Sequence, residues 1–103
     1  MILLKNKQYY YWNKKSVSPW IKYNNEMNYK FENISKILFE NIRLKKNQSV
    51  LDIGCGAGQT SYTAKKKIGV NGTITAVDIS SPLLKVFKKK YKNNKKITFI
   101  KKN

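Results

Sequence analysis

Histidine is absent from this 103-residue chain, and cysteine occurs once, at Cys55. A metal site needs several nitrogen, sulfur or carboxylate ligands. The five acidic residues are scattered along the chain, so the sequence predicts no metal site. A cysteine nucleophile needs a base beside it, most often a histidine, so we interpret Cys55 as a small residue that fills its loop. One cysteine cannot form a disulfide within the chain, which agrees with a reducing cytoplasm.

Long hydrophobic runs are also missing. No apolar run approaches the roughly 20 residues that span a bilayer. The opening MILLKNK holds three apolar residues between Met1 and the first lysine, too few for the apolar region of a signal peptide. We therefore expect no membrane span and a cytoplasmic protein.

Acidic residues and arginine are scarce, whereas lysine is abundant. The chain has 22 basic and 5 acidic residues, a net charge of +17, and Arg43 is its one arginine. Such a surface gains affinity for nucleic acid or anionic lipid by counterion release. Phosphate-reading proteins usually use arginine as well, because its planar fork binds phosphate bidentately. Lysine, asparagine and isoleucine are residues of A/T-rich codons, so we favour codon bias and keep nucleic-acid binding as the alternative.

The first 44 residues divide into two zones. Residues 1–26 are aromatic-rich and broken by Pro19, so we expect an irregular segment. Its aromatic side chains are expected to form a flap packed on the core: Tyr9, Tyr10, Tyr11, Trp12 and Trp20. Over residues 27–44, apolar residues recur at three- and four-residue steps, which predicts a helix. This apolar stripe consists of Phe31, Ile34, Ile37, Leu38 and Ile42.

From residue 49 onward, short strands alternate with helices. Apolar, β-branched runs predict strands at residues 49–53, 73–77 and 97–100. Helices are predicted over residues 60–68, ending at Gly69, and from Ser80 or Ser81 as a cap, with Pro82 at the first helical position. Such short connections imply parallel strands with right-handed crossovers. The predicted fold class is therefore α/β, one half of a doubly wound parallel sheet truncated to about three strands, with an N-terminal helical segment.

Glycines at every second position follow the first strand and its acid. Asp52 is followed by Gly54, Gly56 and Gly58. A phosphate loop would need a lysine before the helix, and a dinucleotide fingerprint would need a glycine where Gln59 stands. A backbone without Cβ atoms lets a ligand lie against the loop. The acid disfavours a polyphosphate and favours a ligand that is cationic or rich in hydroxyl groups.

A second acid, Asp78, ends the next strand. Strand ends meet at one crevice in such sheets, and a carboxylate there can accept both hydroxyl groups of a ribose. Asp52 alone could cap the following turn. Asp78 alone could cap the helix that begins near Pro82, although Ser80 and Ser81 already serve that need. Together with the glycines, the two acids favour an adenosyl sulfonium that has an amino-acid tail, because it offers a ribose diol, positive charge and no phosphate.

The stretches VLDIGCGAG and ITAVDISSPLL resemble motifs I and II of the class I S-adenosylmethionine-dependent methyltransferases. The resemblance covers about residues 27–103 and implies a Rossmann-like, doubly wound parallel sheet. It implies that Asp52 and the glycine loop line the methionine end of S-adenosyl-L-methionine. Asp78 would bind the ribose, Ile79 would pack near the adenine, and Asn103 would bond the adenine amino group. The implied loop residues are Gly54, Cys55, Gly56 and Gly58.

The resemblance also implies an incomplete domain. Such domains have seven strands in the order 3-2-1-4-5-7-6, and this chain supplies the first three. We therefore expect an aromatic N-terminal segment at residues 1–26, its YWN similar to that of quinone-biosynthesis methyltransferases, and a partial methyltransferase domain at residues 27–103. The implied reaction is direct methyl transfer with inversion, and we expect the isolated chain to be inactive. Neither the methyl acceptor nor the catalytic residues can be assigned from the sequence.

Two functions of other classes stay open. The chain could be a basic RNA-associated protein or part of an RNA methyltransferase. It could also be a non-catalytic interaction module, because the first strand would lie unpaired at the sheet edge, where a partner chain can pair.

Overall fold

The computed structural model describes residues 7–15 and 17–102, and Asn103 lies outside them. The N-terminal part is helical, and a parallel sheet with two helices follows. The N-terminal elements are a π-helical turn (Tyr11–Lys15), α1 (Val17–Lys22), α2 (Asn24–Lys30) and α3 (Glu32–Ile42). The remaining elements are β1 (Ser49–Ile53), α4 (Gln59–Ile68), β2 (Thr73–Asp78), α5 (Ser81–Tyr91) and β3 (Ile97–Lys101). None of the helices in the described ranges is long and apolar enough to cross a membrane.

The three strands form one parallel sheet in the order β1-β2-β3. Val50 pairs with Ile74, and Ile74 pairs in turn with Ile97. Each strand is joined to the next by a helix, as parallel neighbours require. The predicted α/β fold with three parallel strands and an N-terminal helical segment is confirmed.

The hydrophobic core lies on one face of this sheet. Ile74 and Ala76 of β2 are almost fully buried, and α4 and α5 cover them with Ile68 and Phe87. The Phe87 ring also meets the Phe99 ring of β3 edge to face, with centroids 4.7 Å apart. Such pairs stabilise a core beyond the area they bury. The buried side chains on this face therefore pack all three strands against both helices.

The opposite face of the sheet is open among the residues described. Leu51 and Ile53 of β1 are 60% and 75% exposed, and Ile100 of β3 is 40% exposed. Parallel sheets are usually covered on both faces. β1 is also an edge strand, paired only with β2 in the described part of the chain. A partner chain at this edge stays a prediction.

The ends of the sheet-side helices follow local signals. Ser80 caps α5, its Oγ accepting a hydrogen bond from the backbone N of Leu83 at 3.3 Å. Pro82 therefore occupies the second helical position, one later than predicted. Gly69 ends α4 with a φ of +78°. The Lys65 Nζ reinforces that end by donating to the carbonyl oxygens of Gly69, Val70 and Gly72 at 2.6, 3.2 and 2.7 Å.

Two predictions for the N-terminal part are wrong. Most of the described part of residues 1–26 is helical, and Pro19 is accommodated in the first turn of α1, where its missing N–H costs little. The helix predicted over residues 27–44 is two helices separated at Phe31. The predicted apolar stripe is also exposed, with Ile34 and Ile37 at 63% and 60%. Phe39, from another face of α3, is the residue that is buried.

The aromatic segment is only partly packed. The Trp12 and Trp20 rings contact each other with centroids 5.7 Å apart, and both residues are half-buried. Tyr10 is 58% exposed, so the flap predicted to cover the core does not include every ring.

Candidate functional site

The site begins at Asp52, near the end of β1. Its side chain lies on the helix-covered face, where Oδ2 accepts a hydrogen bond from Ser61 Oγ at 2.6 Å. Ser61 is fully buried in α4. Burial raises the pKa of Asp52, the Ser61 bond opposes that rise, and the negative charge of Asp78 adds to it. The structure therefore holds a desolvated carboxylate below the glycine loop.

The glycine loop crosses from β1 to α4 with backbone conformations that favour glycine. Gly54, Gly56 and Gly58 have φ values of +76°, +56° and +97°. The backbone N–H groups of Gly54 and Cys55 both donate to the carbonyl oxygen of Val77, at 2.8 and 3.1 Å. The loop is thereby anchored to the end of β2.

The first and last of these glycines meet different surroundings. A Cβ on Gly58 would lie 2.6 Å from the Phe87 ring, whereas a Cβ on Gly54 would meet no atom of the described residues within 4 Å. Gly58 is therefore required by the packing of the loop on α5. At Gly54 the bare backbone faces open space, into which a ligand can fit closely.

Asp78 ties the two strand ends together. Its Oδ2 accepts a hydrogen bond from the backbone N of Gly56 at 2.8 Å, and its Oδ1 accepts one from the backbone N of Ser80 at 2.8 Å. The carboxylate therefore fixes the turn between β2 and α5, whereas the cap of α5 itself is Ser80. A carboxylate oxygen has two lone pairs, so each oxygen keeps one acceptor position for a further donor.

A cavity of about 420 Å³ opens at the carboxyl ends of β1 and β2. The predicted residues Gly54, Asp78 and Ile79 all line it. Four predicted site residues do not line it: Asp52, Cys55, Gly56 and Gly58. The Asn103 prediction lies outside the described residues. Within the described part of the chain, the lining consists of Leu51, Ile53, Gly54, Val77, Asp78, Ile79 and Lys102.

Cys55 is buried, with 8% of its surface exposed. Burial, together with the negative charges of Asp78 and Asp52, raises the pKa of its thiol to about 12. The thiol is therefore protonated at neutral pH, and its Sγ lies 3.7 Å from the carbonyl oxygen of Gly56. A protonated, buried thiol is a poor nucleophile.

Asn13, which no sequence pattern identified, bonds the turn that carries Ile79 of the cavity lining. Asn13 Nδ2 donates to the carbonyl oxygen of Ile79 at 3.0 Å, and its Oδ1 accepts from the backbone N of Ser81 at 2.9 Å. Beside it, Ser80 Oγ donates to the carbonyl oxygen of Trp12 at 2.7 Å. These bonds dock the N-terminal segment on the turn that carries Asp78. Asn13 is part of the YWN stretch, but its hydrogen-bond partners lie 66 and 68 residues further along the chain. No sequence pattern links residues at such a separation.

The arrangement fits a ligand with both polar and apolar parts. Bare backbone at Gly54 allows close approach, Asp78 offers carboxylate acceptors, and Ile79 offers an apolar surface. Asp52 and Asp78 are two of only five acids in a chain of net charge +17, and they lie close enough to raise the pKa of Asp52. The site therefore brings together two of the few carboxylates of the chain, beside Lys102 of the cavity lining, and offers acceptors to a cationic or hydroxyl-bearing ligand. No group of three or more histidine, cysteine, aspartate or glutamate residues in the described ranges could hold a metal.

Comparisons with known proteins agree on one family. A family model described as a methyltransferase domain matches residues 50–103. Demethylmenaquinone methyltransferase of Staphylococcus carnosus is 29% identical over 65 residues, which are 63% of this chain and 27% of that protein. Nocamycin O-methyltransferase of Saccharothrix syringae is 27% identical over 55 residues, 53% of this chain and 20% of that protein. The matched part of this chain thus spans about a quarter or less of either relative's length.

A solved structure of a protein-L-isoaspartate O-methyltransferase shares the fold. It superposes with a TM-score of 0.62 at 21% identity, covering 68% of this chain and 23% of that one. The family model covers more than half of this chain, including both strand ends that form the cavity. The chain therefore belongs to the methyltransferase domain family, with the class I, S-adenosylmethionine-dependent type of fold.

Proposed function

We propose that this chain binds S-adenosyl-L-methionine in the cavity of about 420 Å³ and forms the cofactor-binding part of a methyltransferase. One observation carries the proposal. Asp78 closes the glycine loop through Gly56 and also lines the cavity with Gly54. Loop and strand end are thus held together at the place where the adenosyl group would bind.

Each site residue would contact a chemically different part of S-adenosyl-L-methionine. Asp78 would accept the ribose hydroxyl groups, Ile79 would pack on the adenine, and the bare backbone at Gly54 would lie against the methionine portion. Asp52, held by Ser61, would add negative charge near the ammonium group. S-adenosyl-L-methionine supplies a methyl group on a positively charged sulfur, which is electrophilic toward an acceptor. Cys55 takes no part as a nucleophile, and its single occurrence agrees with work in the cytoplasm.

Calorimetric titration with S-adenosyl-L-methionine tests the binding. We expect saturable binding that Asp78→Asn weakens at least tenfold, roughly the loss of one hydrogen bond to a charged group. Gly54→Ala should also weaken it, because the new Cβ would occupy the space in which the ligand lies against the backbone. Glu40→Gln removes a carboxylate that lies away from this cavity and should leave the affinity unchanged. Circular dichroism establishes that each variant is folded. A folded wild-type chain that does not bind, or equal losses in Glu40→Gln and Asp78→Asn, would contradict the proposal.

We further propose that the isolated chain turns over little substrate, because one face of its sheet is open. A radiolabelled methyl-transfer assay over a panel of acceptors should show no steady turnover. Steady turnover by the purified 103-residue chain would overturn this part of the proposal.

A second candidate is a non-catalytic interaction module. The observation that favours it is the exposure of Leu51 and Ile53 on an unpaired edge strand. Analytical ultracentrifugation at micromolar concentration should then show a stable oligomer that Ile53→Lys disrupts, since a lysine on an exposed edge strand opposes edge pairing. A monomer at these concentrations would exclude self-association through this edge.

A further inference from the structure

Another cavity lies at the end of the sheet where the strands begin, on the helix-covered side. Its volume is about 480 Å³. Gly69 and Asn94, which precede β2 and β3, line it. Since parallel strands begin at one end of the sheet and the proposed cofactor site is where they finish, the two cavities are at opposite ends. The inference drawn from it therefore goes beyond the proposed function and does not depend on it.

Two tyrosine rings line this cavity. Tyr62 of α4 and Tyr91 of α5 lie with ring centroids 6.0 Å apart and planes tilted by 39°. Tyr62 is 39% exposed. Both tyrosines also line a neighbouring cavity of about 230 Å³ that reaches Gly58 at the start of α4. The two cavities therefore form one groove along the rings, which we call the α4–α5 groove.

Lysines border this groove on both sides. Lys66 Nζ lies 4.2 Å from the centroid of the Tyr62 ring, Lys90 lines the smaller cavity, and Lys96 lines the larger one. Among the described residues, no carboxylate lines either part of the groove. Glu32 and Glu40 line an adjoining cavity toward α3, which shares Tyr62 and Lys66 with the groove. The groove is thus positive along its length.

Lys65 lines the groove too, but its ammonium group is already engaged. It donates to three backbone carbonyl oxygens at the end of α4. The lysines that can contact a ligand are therefore Lys66, Lys90 and Lys96.

We propose that the α4–α5 groove binds single-stranded nucleic acid, with a base stacked on Tyr62 and phosphates contacted by Lys66 and Lys90. Base stacking on aromatic rings beside a positive groove is how strands are bound without sequence preference. The shape decides against two other polyanions. A bilayer surface is flat and has no planar group for the groove, and a duplex keeps its bases stacked inside. Codon bias accounts for the number of lysines, but not for their position beside the Tyr62 and Tyr91 rings.

Fluorescence anisotropy with labelled 12-nucleotide probes tests the proposal, without S-adenosyl-L-methionine present. The probes are single-stranded RNA, DNA of the same sequence, and a DNA duplex of the same length. Tyr62→Leu removes the ring and should weaken single-strand binding about tenfold, within the range of one lost stacking contact. Tyr62→Trp keeps a stacking surface and should bind as tightly as the wild type. Tighter binding of RNA than DNA assigns a contact to the 2′-hydroxyl, and equal binding assigns recognition to base and phosphate alone; both support the groove.

Charge variants provide an independent test. The double variant Lys66→Gln with Lys90→Gln should reduce the slope of log affinity against log salt by about 1.4, since each phosphate contact to a single strand contributes about 0.7. Lys30→Gln with Lys45→Gln is the matched control, because neither lysine lines the groove.

Three outcomes would overturn the proposal. The first is duplex binding as tight as single-strand binding. The second is a Tyr62→Leu variant that is folded by circular dichroism and binds like the wild type. The third is an equal loss of salt slope in the control pair, which would mean that the overall charge of +17 attracts any polyanion.

Discussion

Replacing Gly58 with alanine should damage the fold far more than the same change at Gly54. Both glycines have positive φ, so each substitution meets the left-handed penalty of about 1–2 kcal/mol. At Gly58 the new Cβ would also lie 2.6 Å from the Phe87 ring, which is fully buried and cannot move into solvent. Gly54→Ala meets no such neighbour.

The packing conflict sets the size of the difference. Overfilling a packed core typically costs about 1–3 kcal/mol. The free energy of unfolding should therefore fall by about 2–5 kcal/mol in Gly58→Ala and by about 1–2 kcal/mol in Gly54→Ala. The total free energy of unfolding of a typical domain is about 5–15 kcal/mol, so Gly58→Ala would remove a large part of the stability.

Urea unfolding followed by circular dichroism measures both variants against the wild type. A third variant identifies the cause. In a Phe87→Leu background the ring is gone, and Gly58→Ala should cost less by about 0.5–3 kcal/mol, the usual coupling between residues in contact. Equal losses in Gly54→Ala and Gly58→Ala, or the same loss with and without the ring, would refute the reasoning.

Three more predictions concern single side chains. Burial raises the pKa of Asp52 above its ordinary 3.8, so the folded state is penalised when this group is ionised. Asp52→Asn should therefore raise the urea midpoint at neutral pH, with the gain vanishing as pH falls toward 3.8, and a gain that persists in acid would contradict this cause. Cys55, with a pKa of about 12, should react with iodoacetamide only after unfolding, and rapid alkylation of the native chain would refute its burial. Lys65→Met should lower the unfolding free energy by about 1.5–3 kcal/mol, the range for a hydrogen bond to a charged group, whereas exposed Lys67→Met serves as a control and should change little.

The sheet-forming part of the chain was predictable because its signals are local. Strand bounds agreed to within one residue at each end, since short β-branched runs between turn residues are typical of buried parallel strands. Ser80 was one of two serines named as the cap, and it lies three residues before the N–H it satisfies. Gly54, Asp78 and Ile79 share a cavity because the ends of adjacent parallel strands meet.

The parts that sequence could not give depend on distant partners. The stripe on α3 showed that one face is apolar, but periodicity cannot say what covers a face, and Ile34 is exposed. Ser61 was hidden in a predicted helix, with no sign that it would meet Asp52 nine residues earlier. Asn13 bonds residues 66 and 68 positions away, a separation that carries no pattern.

The Asn13 contacts have a consequence for the proposed cofactor site. The turn that carries Asp78 and Ile79 is bonded on one side to the glycine loop and on the other to the N-terminal segment. Ligand binding and docking of the N-terminal segment would both order this turn. Once one of them has ordered it, the other loses less conformational entropy, so each favours the other by the same factor. A ligand bound at Asp78 would therefore favour docking of the N-terminal segment, and the docked segment would favour binding of the ligand. By this thermodynamic linkage, the aromatic N-terminal segment would raise the affinity of the cavity for its ligand without lining the cavity itself.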